Sequence, residues 1–172
     1  IKRDNLWTLI DMDSKEVSGF MYDEVGFFSG LLAKVRKGGL YGLMNKEGGL
    51  VLDNIYENII ELGDFGFKSE IKDGHYSKFG LLNKSGKELL PCEYSHIGEL
   101  KNGVIYVKKY TVGGILNAST GKLIIPCEYY LIEKFSKDIF GVKNNNGVGL
   151  YGLSGNVILE CKYGDIKELS EK

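Results

Sequence analysis

The 172-residue sequence predicts an all-β protein, a tandem array of five three-strand meanders of ~35 residues each. Three observations carry that prediction. A tyrosine closes a short apolar run five times, at Tyr22, Tyr56, Tyr94, Tyr129 and Tyr163, at intervals of 34, 38, 35 and 34 residues. Glycine is abundant, 24 residues against 2 prolines, which suits short strands joined by tight turns. No stretch holds an apolar period of 3.6 over the length of an ordinary helix, whereas period-two alternation recurs.

Each unit opens on a second anchor: Trp7-Thr8, Tyr41-Gly42, Phe79-Gly80, Gly113-Gly114 and Tyr151-Gly152. A first strand follows, as in Gly80-Leu-Leu-Asn83, then the loop Asn83-Lys-Ser-Gly86 and a second strand from Lys87-Glu-Leu-Leu90 to Tyr94. That spacing is a hairpin signal, with glycine free to take positive φ. In the fifth unit Ser154-Gly155 follow Leu153 directly, which reads as a loss of three residues from the first turn. A third strand alternates apolar and polar residues in Ala33-Lys-Val-Arg36, Ser69-Glu-Ile-Lys72, Ile105-Tyr-Val-Lys108 and Phe140-Gly-Val-Lys143. A turn such as Lys37-Gly38-Gly39 then leads into the next unit. The segment after each tyrosine, for example Tyr94-Ser-His-Ile-Gly-Glu-Leu, reads equally as a loop or a single helical turn. The units run roughly 1–37, 38–74, 75–109, 110–145 and 146–172, a single repeat domain with no room for a second. The fifth unit lacks its third strand, and only Ile1-Lys-Arg3 precedes Trp7 to supply one. An open, curved array is therefore expected rather than a propeller-like ring, with Lys167, Glu168, Glu171 and Lys172 blunting the free edge.

These residues resemble the WG repeat, also called the KWG repeat, of bacterial proteins. The shared pattern is aromatic-Gly-Leu-x-Asn-Lys-x-Gly-Lys-x-apolar-Pro-x-x-Tyr, clearest over residues 79–94 and good over 41–56 and 113–129. Only Trp7 supplies the eponymous tryptophan, and Thr8 follows it; Tyr41, Phe79, Gly113 and Tyr151 stand at that place elsewhere. The resemblance implies a non-enzymatic β-repeat scaffold, some of whose small relatives act as binding or toxin-neutralising modules. It carries no catalytic residue.

Composition narrows the function classes further. With 22 basic and 23 acidic side chains the chain lacks the positive field of a general nucleic-acid binder. It also lacks an apolar run of ~18 residues, so no membrane partner is expected. Cys92, Cys127 and Cys161 each stand two residues before a repeat tyrosine, so equivalent positions would lie one unit apart. They read as buried free thiols of a reducing, cytoplasmic compartment rather than as a disulfide or zinc site. Gly147-Val-Gly-Leu-Tyr-Gly152 spells the dinucleotide fingerprint, but a hairpin follows it where that fingerprint needs a helix. Asn83-Lys-Ser85 and Asn117-Ala-Ser119 fit the glycosylation sequon and are explained as turns. His75 and His96 have no Cys or Glu at ligand or triad spacing, so no metal, cofactor or catalytic residue is assigned.

Charge is the one functional hint. In the ten residues after each tyrosine (nine after the last) acids number 11 and bases 5. Equivalent segments of a repeat array fall on one face, so an acidic rim is expected. Asp23, Glu24, Glu57, Glu61 and Asp64 carry it in the first two units, with no base among them. The favoured reading is a protein-binding module, an inhibitor or immunity-like protein covering another protein's basic surface. The alternative is a small-ligand or glycan binder using the aromatics of Phe27-Phe28 and Phe65-Gly-Phe67 in a central depression.

Overall fold

The computed structural model describes residues 1–19, 21–118 and 120–167. The chain opens with the hairpin β1 (Lys2–Arg3) and β2 (Leu6–Trp7), whose two-residue turn holds Asp4 and Asn5 at φ 50° and 66°. A turn with both central residues left-handed matches the twist of the strands it joins. Bridges Trp7–Tyr22 and Ile10–Glu16 extend this first, partial sheet.

Four antiparallel sheets of four strands follow, each strand pairing with its neighbours in sequence. The first is β3 (Glu24–Ser29), β4 (Leu32–Lys37), β5 (Leu40–Asn45) and β6 (Leu50–Tyr56). The second is β7 (Asn58–Glu61), β8 (Gly66–Asp73), β9 (Tyr76–Asn83) and β10 (Glu88–Tyr94). The third is β11 (His96–Lys101), β12 (Val104–Lys109), β13 (Val112–Asn117) and β14 (Lys122–Tyr129). The fourth is β15 (Leu131–Ser136), β16 (Ile139–Asn144), β17 (Gly147–Gly152) and β18 (Val157–Tyr163). The chain divides into two compact units, Ile1–Glu93 with the partial sheet and the first two full sheets, and Tyr94–Lys172 with the last two. Among the described residues no sheet closes into a barrel, and no helix is long and apolar enough to cross a membrane.

After Tyr22, Tyr56, Tyr94 and Tyr129 the segment is thus a fourth strand, where the pattern pointed to a three-strand meander; after Tyr163 the described residues 164–167 form no strand. Among the described residues only Gly63–Phe65 forms a helical turn, a single 3₁₀ turn after β7. Register shifts in β3 between Val25 and Phe28, in β11 between Ile97 and Leu100, and in β15 between Lys134 and Ser136 explain why alternation hid these strands. A bulge inserts an extra residue and flips the faces halfway along, which erases the period-two signal. Each full sheet also straddles two sequence units. It takes the post-tyrosine and third strands of one and the first and second strands of the next. Of the charges expected to blunt the end, Lys167 is exposed, while Glu168, Glu171 and Lys172 lie outside the described residues.

The glycine of the second anchor has a steric cause. A Cβ on Gly42 would sit 2.5 Å from the Leu52 carbonyl oxygen; on Gly80, 2.7 Å from that of Leu90; on Gly114, 2.6 Å from that of Ile125. The partner strand is bulged toward each, so only glycine fits. In the fifth unit the residue under the same constraint is Gly149, 2.7 Å from the Leu159 carbonyl. Val148 pairs with Tyr163 as Tyr41 pairs with Tyr56 and Gly113 with Tyr129. The anchor of that unit is therefore Val148-Gly149, not Tyr151-Gly152, and no residues are missing from its first turn. Gly155, at φ 87°, matches Gly48 at 81° and Gly86 at 80°. Tyr151-Gly152 only spells the motif: Gly152 stands where the other turns place Asn45 and Asn83, its N–H donating to the Asn156 carbonyl as Asn45 does to Gly49.

The repeat tyrosines are core residues in four units, with Tyr22, Tyr56, Tyr94 and Tyr129 buried, while Tyr163 on the last strand is 40% exposed. In the first unit Tyr56 packs with Leu32, Leu43, Ile59, Phe67 and Leu82. In the second, Tyr129 packs with Ile115, Ile125 and Val142 and shares a 2.8 Å hydrogen bond with the Tyr151 hydroxyl. Burial and that hydroxyl together push the Tyr129 phenol above its ordinary range. The first-strand aromatics are half-buried. Lys34 Nζ sits 4.6 Å from the Tyr41 ring centroid, and Lys68 Nζ 4.4 Å from that of Phe79. Where glycine replaces the aromatic at Gly113, the lysine position holds Tyr106, whose ring occupies the space a Cβ on Gly113 would need.

Each cysteine lies under an anchor glycine. The Sγ atoms of Cys92 and Cys127 are 2.9 Å from an ideal Cβ on Gly80 and Gly114, and that of Cys161 is 2.8 Å from one on Gly149. All three are free, and they are half-buried rather than fully buried as expected. Asn54, at the equivalent place, donates to the Val35 carbonyl at 3.0 Å, as Cys161 does to that of Val142 at 4.0 Å. Burial pushes all three thiols up, opposed at Cys92 by its hydrogen bond with the buried Ser69 hydroxyl and at Cys127 by the nearby Lys109 charge. Disulfide-exchange reagents at pH 8 are therefore expected to titrate the three thiols slowly in the native protein and rapidly in denaturant. Equal rates in the two states would contradict their protected placement.

Candidate surface cleft

The turn asparagines are structural, their side chains capping the hairpin turns. Asn83 Oδ1 accepts from the Ser85 N–H at 2.9 Å, the Lys87 N–H at 2.9 Å and the Ser85 hydroxyl at 2.8 Å. Asn45 Oδ1 accepts from the Gly49 N–H at 2.7 Å in the equivalent turn. The first sequon is thus a side-chain-capped turn. Asn117 Oδ1 accepts from the Thr120 N–H at 3.0 Å, and Ser119 lies outside the described residues. The fingerprint glycines Gly147, Gly149 and Gly152 all lie in β17, and a second strand rather than a helix follows.

The five acids expected on one rim are divided by the strands that carry them. Glu24 pairs with Arg36 and Ser29 with Leu32, so Asp23 and Glu24 sit at the opposite end of β3 from its turn, ~17 Å away for a six-residue strand. Asp23 Oδ2 accepts from the Gly39 N–H at 3.2 Å, and the Glu57 N–H donates to the Glu70 carbonyl at 2.8 Å. Glu61 is the last residue of β7, at its far end, and Asp64 lies in the 3₁₀ turn just beyond it. Asp64 is ion-paired to Lys84 at 2.6 Å, which holds its carboxyl below the usual carboxylate range. Bases thus adjoin two of the acids, Arg36 opposite Glu24 and Lys84 on Asp64. Linear counting missed them because they arrive from neighbouring strands.

Glu61 lines a cleft. It is a depression of about 180 Å³ in the first unit, between the β3–β4 hairpin and the β7–β8 pair, lined by Phe27, Ser29, Lys34, Ile59, Glu61 and Phe67 among others. Ser29 Oγ hydrogen-bonds Glu61 across it. Lys34 Nζ donates to the Ile59 carbonyl at 3.3 Å. Phe27 is 100% exposed because it sits in the bulge of β3, which turns it away from the alternating core positions. Phe67 is buried at the cleft floor. Of the predicted aromatics, then, Phe27 and Phe67 meet at this cleft together with the predicted acid Glu61; Phe28 and Phe65 are half-buried and are not among its lining residues. The cleft combines an apolar contact, one carboxylate with a hydroxyl partner, and a lysine already committed to a carbonyl and an aromatic face.

A family model described as a WG containing repeat matches residues 7–41, 79–110 and 114–147, together more than half of the chain. No curated protein matches it. The matched segments begin at or beside the first-strand anchors Trp7, Phe79 and Gly114, the positions at which the glycine constraint and the aromatic packing recur.

Proposed function

Because the chain belongs to the WG-repeat family, we propose that it works as a non-enzymatic protein-binding module, an inhibitor or immunity-like protein that covers another protein's basic surface. The observation that carries this reading is Phe27, a fully exposed aromatic presented by a bulge on the cleft that Glu61 also lines. An aromatic anchor next to a charged, hydrogen-bonded group is the usual make-up of an interface hot spot. Asp23, Glu24 and Glu57, at the other end of the same strands, supply the longer-range field that steers a basic partner without making the central contact. Unpaired thiols fit a reducing, cytoplasmic setting for this association. A small-ligand or glycan site on the same aromatics is the weaker reading, since 180 Å³ falls below the ~300–1,000 Å³ of ordinary ligand pockets.

The test is co-precipitation from the native source at low salt and at ~0.5 M salt, where charge steering is screened. A partner with a basic surface is expected at low salt, with its capture reduced by salt, by Phe27→Ala and by Glu61→Lys. Capture that neither substitution nor salt changes would reject this surface as the interface.

A further inference from the structure

The second unit holds a cleft at the corresponding place, with lysines where the first has Glu61 and Ser29. It lies between the β11–β12 hairpin and the β15–β16 pair, has a volume of about 490 Å³, and is lined by Lys101, Asn102, Val104, Lys134, Lys137, Asp138, Phe140 and Leu153. The correspondence follows from register. Lys134 pairs with Phe140 as Glu61 pairs with Phe67, and Lys101 pairs with Val104 as Ser29 pairs with Leu32. Glutamate and serine of the first cleft are thus both replaced by lysine in the second.

Three lysines line this cleft against one acid, Asp138. Lys101 is shared with Glu99 at 3.3 Å, a loose pair in which both side chains are more than three-quarters exposed. Among the described residues Lys134 and Lys137 have no ion partner. Glu133, next to Lys134, lies over Gly141 and so belongs to the other face of the sheet. The floor is apolar: Val104 and Phe140 are half-buried against the core around Tyr129, and Leu153 is fixed by its N–H donating to the Asp138 carbonyl at 2.9 Å. An apolar floor with a few convergent polar groups, at a volume within the range of ordinary ligand sites, describes a pocket for a small molecule.

We propose that this cleft binds a small organic anion, its phosphate or carboxylate between Lys134 and Lys137 and its apolar or aromatic body on Val104, Phe140 and Leu153. Lysine suits this task as a point charge on a flexible stem, able to follow an anionic group without bidentate geometry. The site is independent of the interface around Phe27, because it lies in the other unit and shares no residue with it.

The experiment is a chemical-shift titration of the whole chain with 1-naphthyl phosphate at low salt, beside inorganic phosphate and neutral 1-naphthalenemethanol. Saturable shifts are expected at the amides of Asn102, Val104, Phe140 and Leu153, with both half-probes binding more weakly. Lys134→Glu with Lys137→Glu should weaken 1-naphthyl phosphate about tenfold or more, the loss of charge-assisted contacts. Lys134→Gln with Lys137→Gln should give a smaller loss and serves as the comparison if charge reversal perturbs the sheet. Binding that is absent, equal for the neutral probe, or unchanged in the glutamine variant would overturn the assignment. So would shifts confined to the cleft around Phe27.

Discussion

Tyr94→Ala is expected to lower the melting temperature by roughly 6–20 °C, whereas Tyr163→Ala, at the same repeat position, should lower it by less than about 4 °C. The contrast rests on burial. Tyr94 is 6% exposed and Tyr163 40% exposed. Truncating a buried aromatic costs about 3–5 kcal/mol through lost transfer energy and the cavity left behind, a large fraction of a domain's net stability. A half-solvated ring at the last strand loses much less of both. Thermal melts followed by near-ultraviolet circular dichroism give the comparison directly. Equal shifts for the two substitutions would mean that repeat position, not burial, sets the contribution.

Gly114→Ala should cost about 1–3 kcal/mol, the usual penalty for forcing an extra carbon into a packed site. The new methyl would lie 2.6 Å from the Ile125 carbonyl oxygen and 2.9 Å from the Cys127 Sγ. Only one of these neighbours can be removed by mutation. Adding Cys127→Ala relieves the sulfur contact but leaves the backbone carbonyl, so the double variant should remain destabilised. Gly164→Ala is the control: nothing lies within 4 Å of its ideal Cβ, and its φ is not left-handed. Its stability should stay within about 0.5 kcal/mol of the parent in urea unfolding. A neutral Gly114→Ala would remove the steric explanation for the repeat glycine.

The glycine constraint also shows why some repeat features are read easily and others are not. Tyr41-Gly42 and Phe79-Gly80 mark their units because one local requirement, the approach of a bulged partner strand, recurs at one sequence spacing. Tyr151-Gly152 carries the same letters without the same role, and only the pairing of Val148 with Tyr163 separates them. The Gly113–Tyr106 exchange left a trace in the sequence, since the missing aromatic coincides with a tyrosine in place of lysine on the preceding strand. Reading it required knowing that the Tyr106 ring lies over Gly113, diagonally across the strand pair.

Glu61 and Phe27 show the same limit at the candidate cleft. The sequence supports both an acidic segment and an exposed aromatic, and the bulge in β3 and the pairing of β7 with β8 bring the two residues to one place. Asp23, Glu24 and Glu57 belong to the same acidic count yet lie at the other end of their strands, because a strand spreads consecutive charges along its length and over two faces. The lysine-lined cleft of the second unit was invisible for the related reason that Lys101, Lys134 and Lys137 come from two hairpins more than thirty residues apart.

What the sequence determined by itself is the repeat, the all-β class, the turns that need glycine or asparagine, and the recurrence of the tyrosine that is buried at Tyr22, Tyr56, Tyr94 and Tyr129. All of these depend on residues within one unit, where spacing reports contact. The tertiary structure decided the fourth strand of each full sheet, the half-unit offset between sheet and repeat, the true anchor of the fifth unit and the lysine excess of the second cleft over the first. Those depend on which strands pair and where the pairing slips by a residue. Hydrogen-bond register between strands leaves no imprint on the order of residues within either one.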